Sequence, residues 1–281
     1  MNSGIVITDR EPNRFAELAR RAEDAGWDAA FSWETHYGWD AWIGLTAAAS
    51  ATTTLRLGTM LTPVPRWLPW QLASVTRTLD QLSGGRVILA CGLGAVHEGW
   101  MAFEDDPGRR VRAEKMDEIL DICFGLWADG ASFGYDGTHF RVRPTEMFQP
   151  GPPVATPRIM TWCVGLTGAR KSMARAARCD GLLPNFAGVG PDTDKLSVED
   201  WGRAAAEINA LRDELGYTGD YDIVAEGAFA LEQWDRCRAH TADLAERGYT
   251  WYIDSSWSQM AQPDEDDVLR ARIDAGPPRP A

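Results

Sequence analysis

The residues that could carry chemistry stand where short apolar runs end. Phe31-Ser32 leads into Trp33-Glu34-Thr35-His36-Tyr37, which sets a carboxylate and an imidazole two residues apart. Glu34 and His36 are candidate proton donors or acceptors, because an imidazole titrates near neutral pH and a held carboxylate can share that task. Another apolar run ends in Cys91-Gly92-Leu93-Gly94-Ala95. The third glycine of a dinucleotide fingerprint is missing and a long loop follows, so a nicotinamide site is the weaker reading. Bare backbone there would let a flat ligand lie close. A third run ends in Gly165-Leu166-Thr167-Gly168-Ala169-Arg170-Lys171. A helix start, a hydroxyl and two cations suit an anion such as phosphate; the plain alternative is that Arg170 and Lys171 are solvated helix residues. Trp33, Trp39, Trp42, Trp67, Trp70 and Trp100 fall on or beside long loops. Some belong to a core, and Trp33, Trp67 and Trp100 are expected to wall an apolar substrate pocket, which Glu98 could reach from the loop after Gly94.

These positions need a scaffold. Strands are expected at 4–7, 29–32, 55–60, 86–91, 158–162, 181–184, 222–226 and 249–254, each followed by a helix, at 13–25, 41–51, 70–82, 109–127, 168–179, 198–215, 234–246 and 265–274. Eight such units in a row, with no break in composition, point to an α/β fold of the (β/α)8 TIM-barrel kind; an open doubly wound sheet is the rival. Helix-to-strand turns are short and glycine-marked, with Gly26 and Gly248 read as left-handed helix ends. The long connections, 33–40, 61–69 and 92–108, all follow strands, which in a barrel places them on the face where active sites form. Residues 131–142 read as a small hairpin turning at Asp136-Gly137. The expected organisation is one domain over residues 1–275 and a flexible tail over 276–281.

Composition narrows the function classes. The 281 residues carry 28 Lys+Arg against 41 Asp+Glu, a formal net charge of −13. Nucleic acids and anionic membranes prefer a basic face, so neither is expected as a partner. No apolar run approaches a membrane span, and the first residues lack the pattern of a leader. Five cysteines without a C-x-x-C pair suggest reduced thiols and a cytoplasmic location, Cys91 being read as buried and inert. Four scattered histidines give no metal site.

Read together, Leu57-Gly58-Thr59-Met60-Leu61-Thr62-Pro63, Arg66, Pro69-Trp70, Leu79-Asp80-Gln81-Leu82-Ser83-Gly84-Gly85-Arg86 and Gly92-Leu93-Gly94 resemble the bacterial luciferase-like family of flavin- or deazaflavin-dependent oxidoreductases. The likeness continues through Arg112, Glu114, Asp117-Glu118, Tyr135-Asp136-Gly137-Thr138-His139-Phe140 and Ala176-Ala177-Arg178-Cys179-Asp180-Gly181. It implies a luciferase-like barrel with a redox ring across its mouth near Thr59, Met60, Thr62, Gly92, Gly94 and Ala95. The cofactor phosphate would then lie at Gly165, Leu166, Thr167, Gly168 and Arg170. The family often places a histidine directly after the acid of the second strand; this chain has Thr35 there, leaving His36 to replace it. The expected reaction is oxygenation of a partly apolar small molecule by reduced FMN and O2, with a separate flavin reductase as a partner supplying the flavin. The strongly acidic chain favours FMN over the deazaflavin coenzyme F420, whose tail is acidic. The alternatives are hydride transfer with F420 and a non-catalytic flavin-binding protein. The family also implies a homodimer.

Overall fold

Short runs of small and branched apolar residues, each bounded by a glycine or a polar turn, form the strands. The computed structural model describes residues 1–96, 102–128, 132–144, 151–189, 196–257, 260, 262 and 264–279. The first four strands are β1 (Asn2–Val6), β2 (Ala29–Ser32), β3 (Arg56–Pro63) and β4 (Val87–Gly92). A hairpin of β5 (Tyr135–Asp136) and β6 (Arg141–Val142) comes next. The series resumes with β7 (Met160–Leu166), β8 (Gly181–Asn185), β9 (Asp222–Gly227) and β10 (Trp251–Asp254). The hairpin apart, neighbouring strands pair in parallel, and β10 returns to β1 to close an eight-stranded barrel. The helices are α1 (Pro12–Asp24), α2 (Ala41–Ala51), α3 (Pro69–Ser83), α4 (Arg109–Trp127), α5 (Arg170–Ala177), α6 (Val198–Leu215), α7 (Trp234–Glu246) and α8 (Glu265–Asp274). No helix among the described residues is long and apolar enough to cross a membrane.

Strand alternation makes two apolar layers. Phe31, Met60, Ile88, Ala90, Trp162, Val224, Trp251 and Ile253 fill the barrel, while Leu57, Leu89, Cys91, Cys163 and Tyr252 face the helices. The interior holds three large rings: Trp162 lies 5.7 Å from Phe31 and 5.1 Å from Trp251 by centroid. Two glycines make room for them. A Cβ on Gly4 would stand 2.6 Å from Phe31, and one on Gly58 would stand 2.4 Å from the Ile88 carbonyl oxygen. The barrel is therefore a packed core, and only its mouth is available for a ligand.

The Leu79-to-Arg86 motif serves the opposite end. Asp80 is fully buried and accepts the N–H groups of Val154 and Ala155. Arg86 donates through all three nitrogens, to the carbonyls of Ser83, Leu55, Ala49 and Thr52 and to the Thr52 hydroxyl. All five guanidinium N–H groups are thus spent on tying α2, β3 and α3 together. Nearby, the Glu23 carboxylate accepts the N–H groups of Thr53, Thr54 and Leu55 at the entry to β3.

The structure refines several boundaries. β3 runs on to Pro63 through a register shift between Thr59 and Thr62. The Met60–Leu61 peptide between them is cis. β7 extends to Leu166, and α5 starts later than the sequence suggests because Gly168, at φ +75°, turns the chain first. In the hairpin, Asp136 is a strand residue and the turn spans 137–140, where Glu118 of α4 accepts the N–H groups of Thr138, His139 and Phe140. Within the tail expected over 276–281, residues 278 and 279 make hydrogen bonds to the barrel. The Thr241 hydroxyl donates to the Pro278 carbonyl at 2.7 Å, and Arg279 reaches the Gly26 carbonyl and Asp28.

Two measurements check this reading. Arg86→Lys supplies three donors where five are used, and is expected to lower stability by about 2–3 kcal/mol in chemical denaturation. Burial opposes ionisation of Glu23, but its backbone donors outweigh that and hold the carboxyl at about 2, below the usual 4.5. A depressed folded value gives stability that is present above 4.5 and fades as pH falls toward 2. Glu23→Gln should therefore melt below wild type at pH 6, with the gap closing across that acid range.

Candidate active site

Glu34 stands just past the end of β2 at the barrel mouth, and three side chains from other elements converge on it. Its Oε1 accepts from the Thr62 hydroxyl at 2.6 Å and from Trp42 Nε1 at 2.9 Å, and its Oε2 accepts from Trp67 Nε1 at 3.0 Å. Thr62 is brought there by the register shift of β3, which also sets its hydroxyl 2.7 Å from that of Thr59. Thr62 donates to Glu34, so the Thr59 hydroxyl is the donor between the two threonines. Trp42 comes from the first turn of α2, which starts beside Glu34 because Asp40 caps it. Burial pushes the Glu34 carboxyl up to about 7, against the lowering pull of its three donors and of the Arg66 charge. A group held there exchanges its proton readily at neutral pH.

Glu34 opens on a cavity of about 350 Å³ walled by Trp33, Thr35, His36, Tyr37, Leu61, Pro63, Arg66, Gly94, Ala95 and Phe103. His36 also faces it, stacked on Phe103 at 5.7 Å, with Nε2 3.2 Å from Glu104 Oε1. Beside it lies a larger cavity, about 740 Å³, and the two share Leu61, Gly94 and Ala95. The larger one is floored by Gly92, Leu93 and Gly94 at the end of β4 and by Val164 and Leu166 of β7. A Cβ on Gly92 would stand 3.0 Å from Leu61, and Gly94 sits at φ +75°, so both positions keep bare backbone against the space. Its outer wall carries Arg109 and Arg112 of α4, Ser172 and Arg175 of α5 and residues 185–188 after β8. Its size and flat glycine floor fit a ring cofactor.

The sequence candidates divide accordingly. Glu34, His36 and Trp33 line the smaller cavity; Gly92 and Leu166 line the larger; Gly94 and Ala95 border both. Thr59 and Thr62 are fully buried beneath Glu34, and Met60 belongs to the barrel interior. Trp67 supports Glu34, and Trp42 does the same; Trp39 packs edge-on against Trp33, while Trp70 is exposed. Glu98 and Trp100 lie outside the described residues. Gly165 turns toward the helices, where a Cβ would stand 2.5 Å from Leu182.

The groups of the expected phosphate cradle have partners within the chain. The Thr167 N–H and hydroxyl both donate to the Asn185 carbonyl, the Gly168 N–H donates to the Glu207 carboxylate, and Arg170 is paired with Glu214. Further cations stand on the wall made by α4 and α5. There Arg112 binds the carbonyls of Leu93 and Gly94 and pairs with Asp106, Arg175 grips Asp117, and Arg109 is exposed with no ion-pair partner among the described residues. The spacing Arg109, Arg112, Met116 is a helical stripe visible in the sequence, although which side of α4 faces the mouth is not. Cys91 faces the helix layer, and burial pushes its thiol up, as befits an inert residue.

Removal of the Thr62 donor should be felt through Glu34. In Thr62→Val the acid limb of the pH–rate profile is expected to move upward, because the ionised carboxylate loses a partner, while Glu34→Gln should lower turnover by about 10²–10⁴-fold. A further check needs no substrate. The raised Glu34 value binds a proton more tightly in the folded chain, so stability falls as pH rises from 4.5 through about 7, and that fall should be absent from Glu34→Gln.

Comparison with known proteins places the chain in a family. Rv3520c of Mycobacterium tuberculosis, whose name assigns it coenzyme F420 dependence, is 34% identical over 185 residues, 62% of this chain and 52% of its own length. The F420-dependent glucose-6-phosphate dehydrogenase of Microbacterium testaceum is 27% identical over 234 residues, covering 76% of this chain and 67% of the relative. The first match thus spans about half of that relative. Among solved structures, the monooxygenase RslO1 of Streptomyces bottropensis superposes with a TM-score of 0.72 at 19% identity over 98% of both chains, a likeness of fold. Residues 1–279 match the family described as luciferase-like monooxygenase, and this chain is a member of that oxidoreductase family, built on its (β/α)8 barrel.

Proposed function

We propose that the protein transfers a hydride between a deazaflavin of the F420 type in the larger cavity and a carbon of a small, partly apolar substrate in the smaller one. The observation that carries this reading is the shared border of the two cavities along Leu61, Gly94 and Ala95, with Glu34 on the substrate side. A deazaflavin, when bound, supplies two-electron hydride chemistry without activating O2. The relatives named for F420 favour it over FMN. The acidic balance of the whole chain had favoured FMN, but charge acts locally, and three arginines line this cavity. Gly92 and Gly94 would let such a ring lie against backbone, and Arg109 would be placed to meet its acidic tail.

Glu34 handles the proton. An ionised carboxylate oxygen has two lone pairs, and Oε1 spends both on Thr62 and Trp42. Oε2 spends one on Trp67, so the proton taken from or given to a substrate oxygen resides on Oε2. The two tryptophans and Thr62 fix the carboxylate in one orientation, and Trp33, Leu61 and Phe103 keep the reacting carbon in apolar surroundings.

Equilibrium titration separates the cofactors. F420 is expected to bind at least about tenfold more tightly than FMN at equal salt. Arg109→Glu should weaken F420 several-fold, and Arg170→Glu should leave it unchanged. Tighter FMN binding would transfer the reading to a monooxygenase supplied with reduced flavin. Tight F420 binding with no turnover of any alcohol, aldehyde or imine tested would make the chain a cofactor carrier.

A further inference from the structure

Beneath Glu34 lies a chain of two hydroxyls that lines neither cavity. Thr59 and Thr62 are both fully buried, and the register shift of β3 brings their side chains together. The Thr62 hydroxyl oxygen stands 2.6 Å from Glu34 Oε1 and 2.7 Å from that of Thr59, which in turn stands 3.4 Å from the Ala90 carbonyl oxygen. Each hydroxyl has one proton to donate. While Glu34 is ionised the direction is forced: Thr59 donates to Thr62, and Thr62 donates to Oε1. Once Glu34 takes up a proton, a second arrangement competes. In it Oε1 carries the proton and donates to Thr62, Thr62 donates to Thr59, and Thr59 donates to Ala90. Its last link, at 3.4 Å, is longer than the about 2.5–3.0 Å usual between a hydroxyl and an oxygen, whereas both links of the first arrangement are short.

We propose that Thr59 is a positioning residue for proton transfer: having no good acceptor other than Thr62, it holds Thr62 as a donor to Oε1 in both protonation states, so that the Glu34 proton stands on Oε2, the oxygen with room for a substrate. This deepens the proton assignment of Glu34 and rests on it. Without the Thr59 hydroxyl, Thr62 has a lone pair to offer, and a proton on Oε1 finds a partner on the buried side, away from the reacting carbon. Two effects then raise the proton affinity of Glu34. The acid gains a second place for its proton, and the ionised form loses the strengthening that one hydroxyl lends the next. Among the described residues, the charged and titratable groups around the carboxylate are Arg66 ahead of α3, His36 past β2 and Glu104 beyond them. Substitution at Thr59 changes none of these. The carbonyl bond of the protonated acid reports the outcome, because each hydrogen bond to its oxygen weakens the bond and lowers its stretching frequency. With the proton on Oε2 the carbonyl oxygen is Oε1, which has two donors, Thr62 and Trp42. With the proton on Oε1 it is Oε2, which has one, Trp67.

Difference infrared spectroscopy of the full chain, titrated through neutral pH without cofactor or substrate, tests this. Glu34→Gln identifies the Glu34 band by removing it, and Thr62→Val marks the position of a carbonyl with one donor. In the wild type the band is expected below that mark. Thr59→Val, close in shape to threonine, should add a band at the mark and raise the titration midpoint by about 0.5 pH unit, roughly threefold in proton affinity. Thr59→Ser keeps the hydroxyl and should show the wild-type band and midpoint. Should valine unfold the barrel, Thr59→Ala removes the same hydroxyl and carries the same expectation. A merely structural role for Thr59 would lower the melting temperature without moving band or midpoint. A wild-type band already at the one-donor position, an unchanged band and midpoint in the variants that lack the hydroxyl, or a serine variant that behaves like valine would each overturn the proposal. Failure of the F420 titration with this result intact would remove the cofactor assignment and leave the placement of the proton standing.

Discussion

A carboxylate removed from water must be given hydrogen-bond donors or a proton, and the mouth of this barrel is arranged around that requirement at Glu34. Its three donors arrive from α2, β3 and the connection between β3 and α3. Trp42 is eight residues on, but Thr62 and Trp67 are 28 and 33 residues away, so the site assembles only when β2 and β3 pair and α2 packs beside them. Burial raises the proton affinity of the group, and the donors limit the rise. The balance leaves a carboxyl able to gain or lose a proton at neutral pH, the property an acid–base residue needs.

The rest of the barrel supports that arrangement from below. Trp162, Trp251 and Phe31 fill the interior and confine any ligand to the top. Gly4 and Gly58 make the filling possible by ceding their side-chain volume. At the opposite end Arg86 and Asp80 secure the strand entries. Stability is thereby concentrated on one face and chemistry on the other, which lets the mouth carry an unevenly charged, half-open pair of cavities without endangering the fold.

Charge at the mouth is organised locally. The chain as a whole is acidic, yet Arg109, Arg112 and Arg175 border the larger cavity and Arg66 the smaller. Arg112 and Arg175 are partly neutralised by Asp106 and Asp117, which positions them as much as it quenches them. Ion pairs on a loop or a helix face thus decide where an anion can sit, and the total charge does not.

Much of the scaffold was legible in the residues themselves. The eight strand–helix units follow from local periodicity and glycine punctuation, which act within a dozen residues, and helices α2, α4, α6, α7 and α8 begin and end where the pattern changes. That Glu34, His36, Gly92 and Gly94 stand at the mouth was also readable, because residues at or just past the end of a barrel strand face it. What the pattern could not convey was partnership. Arg170 and Gly168 have the right types for an anion site, but Glu214 and Glu207 of α6, some forty residues onward, already engage them. Trp42 and Trp67 look like pocket walls and instead brace a carboxylate. Side chains distant in the chain meet only through packing, and it is packing that decides whether a charged or polar group is spent inside the protein or left for a ligand.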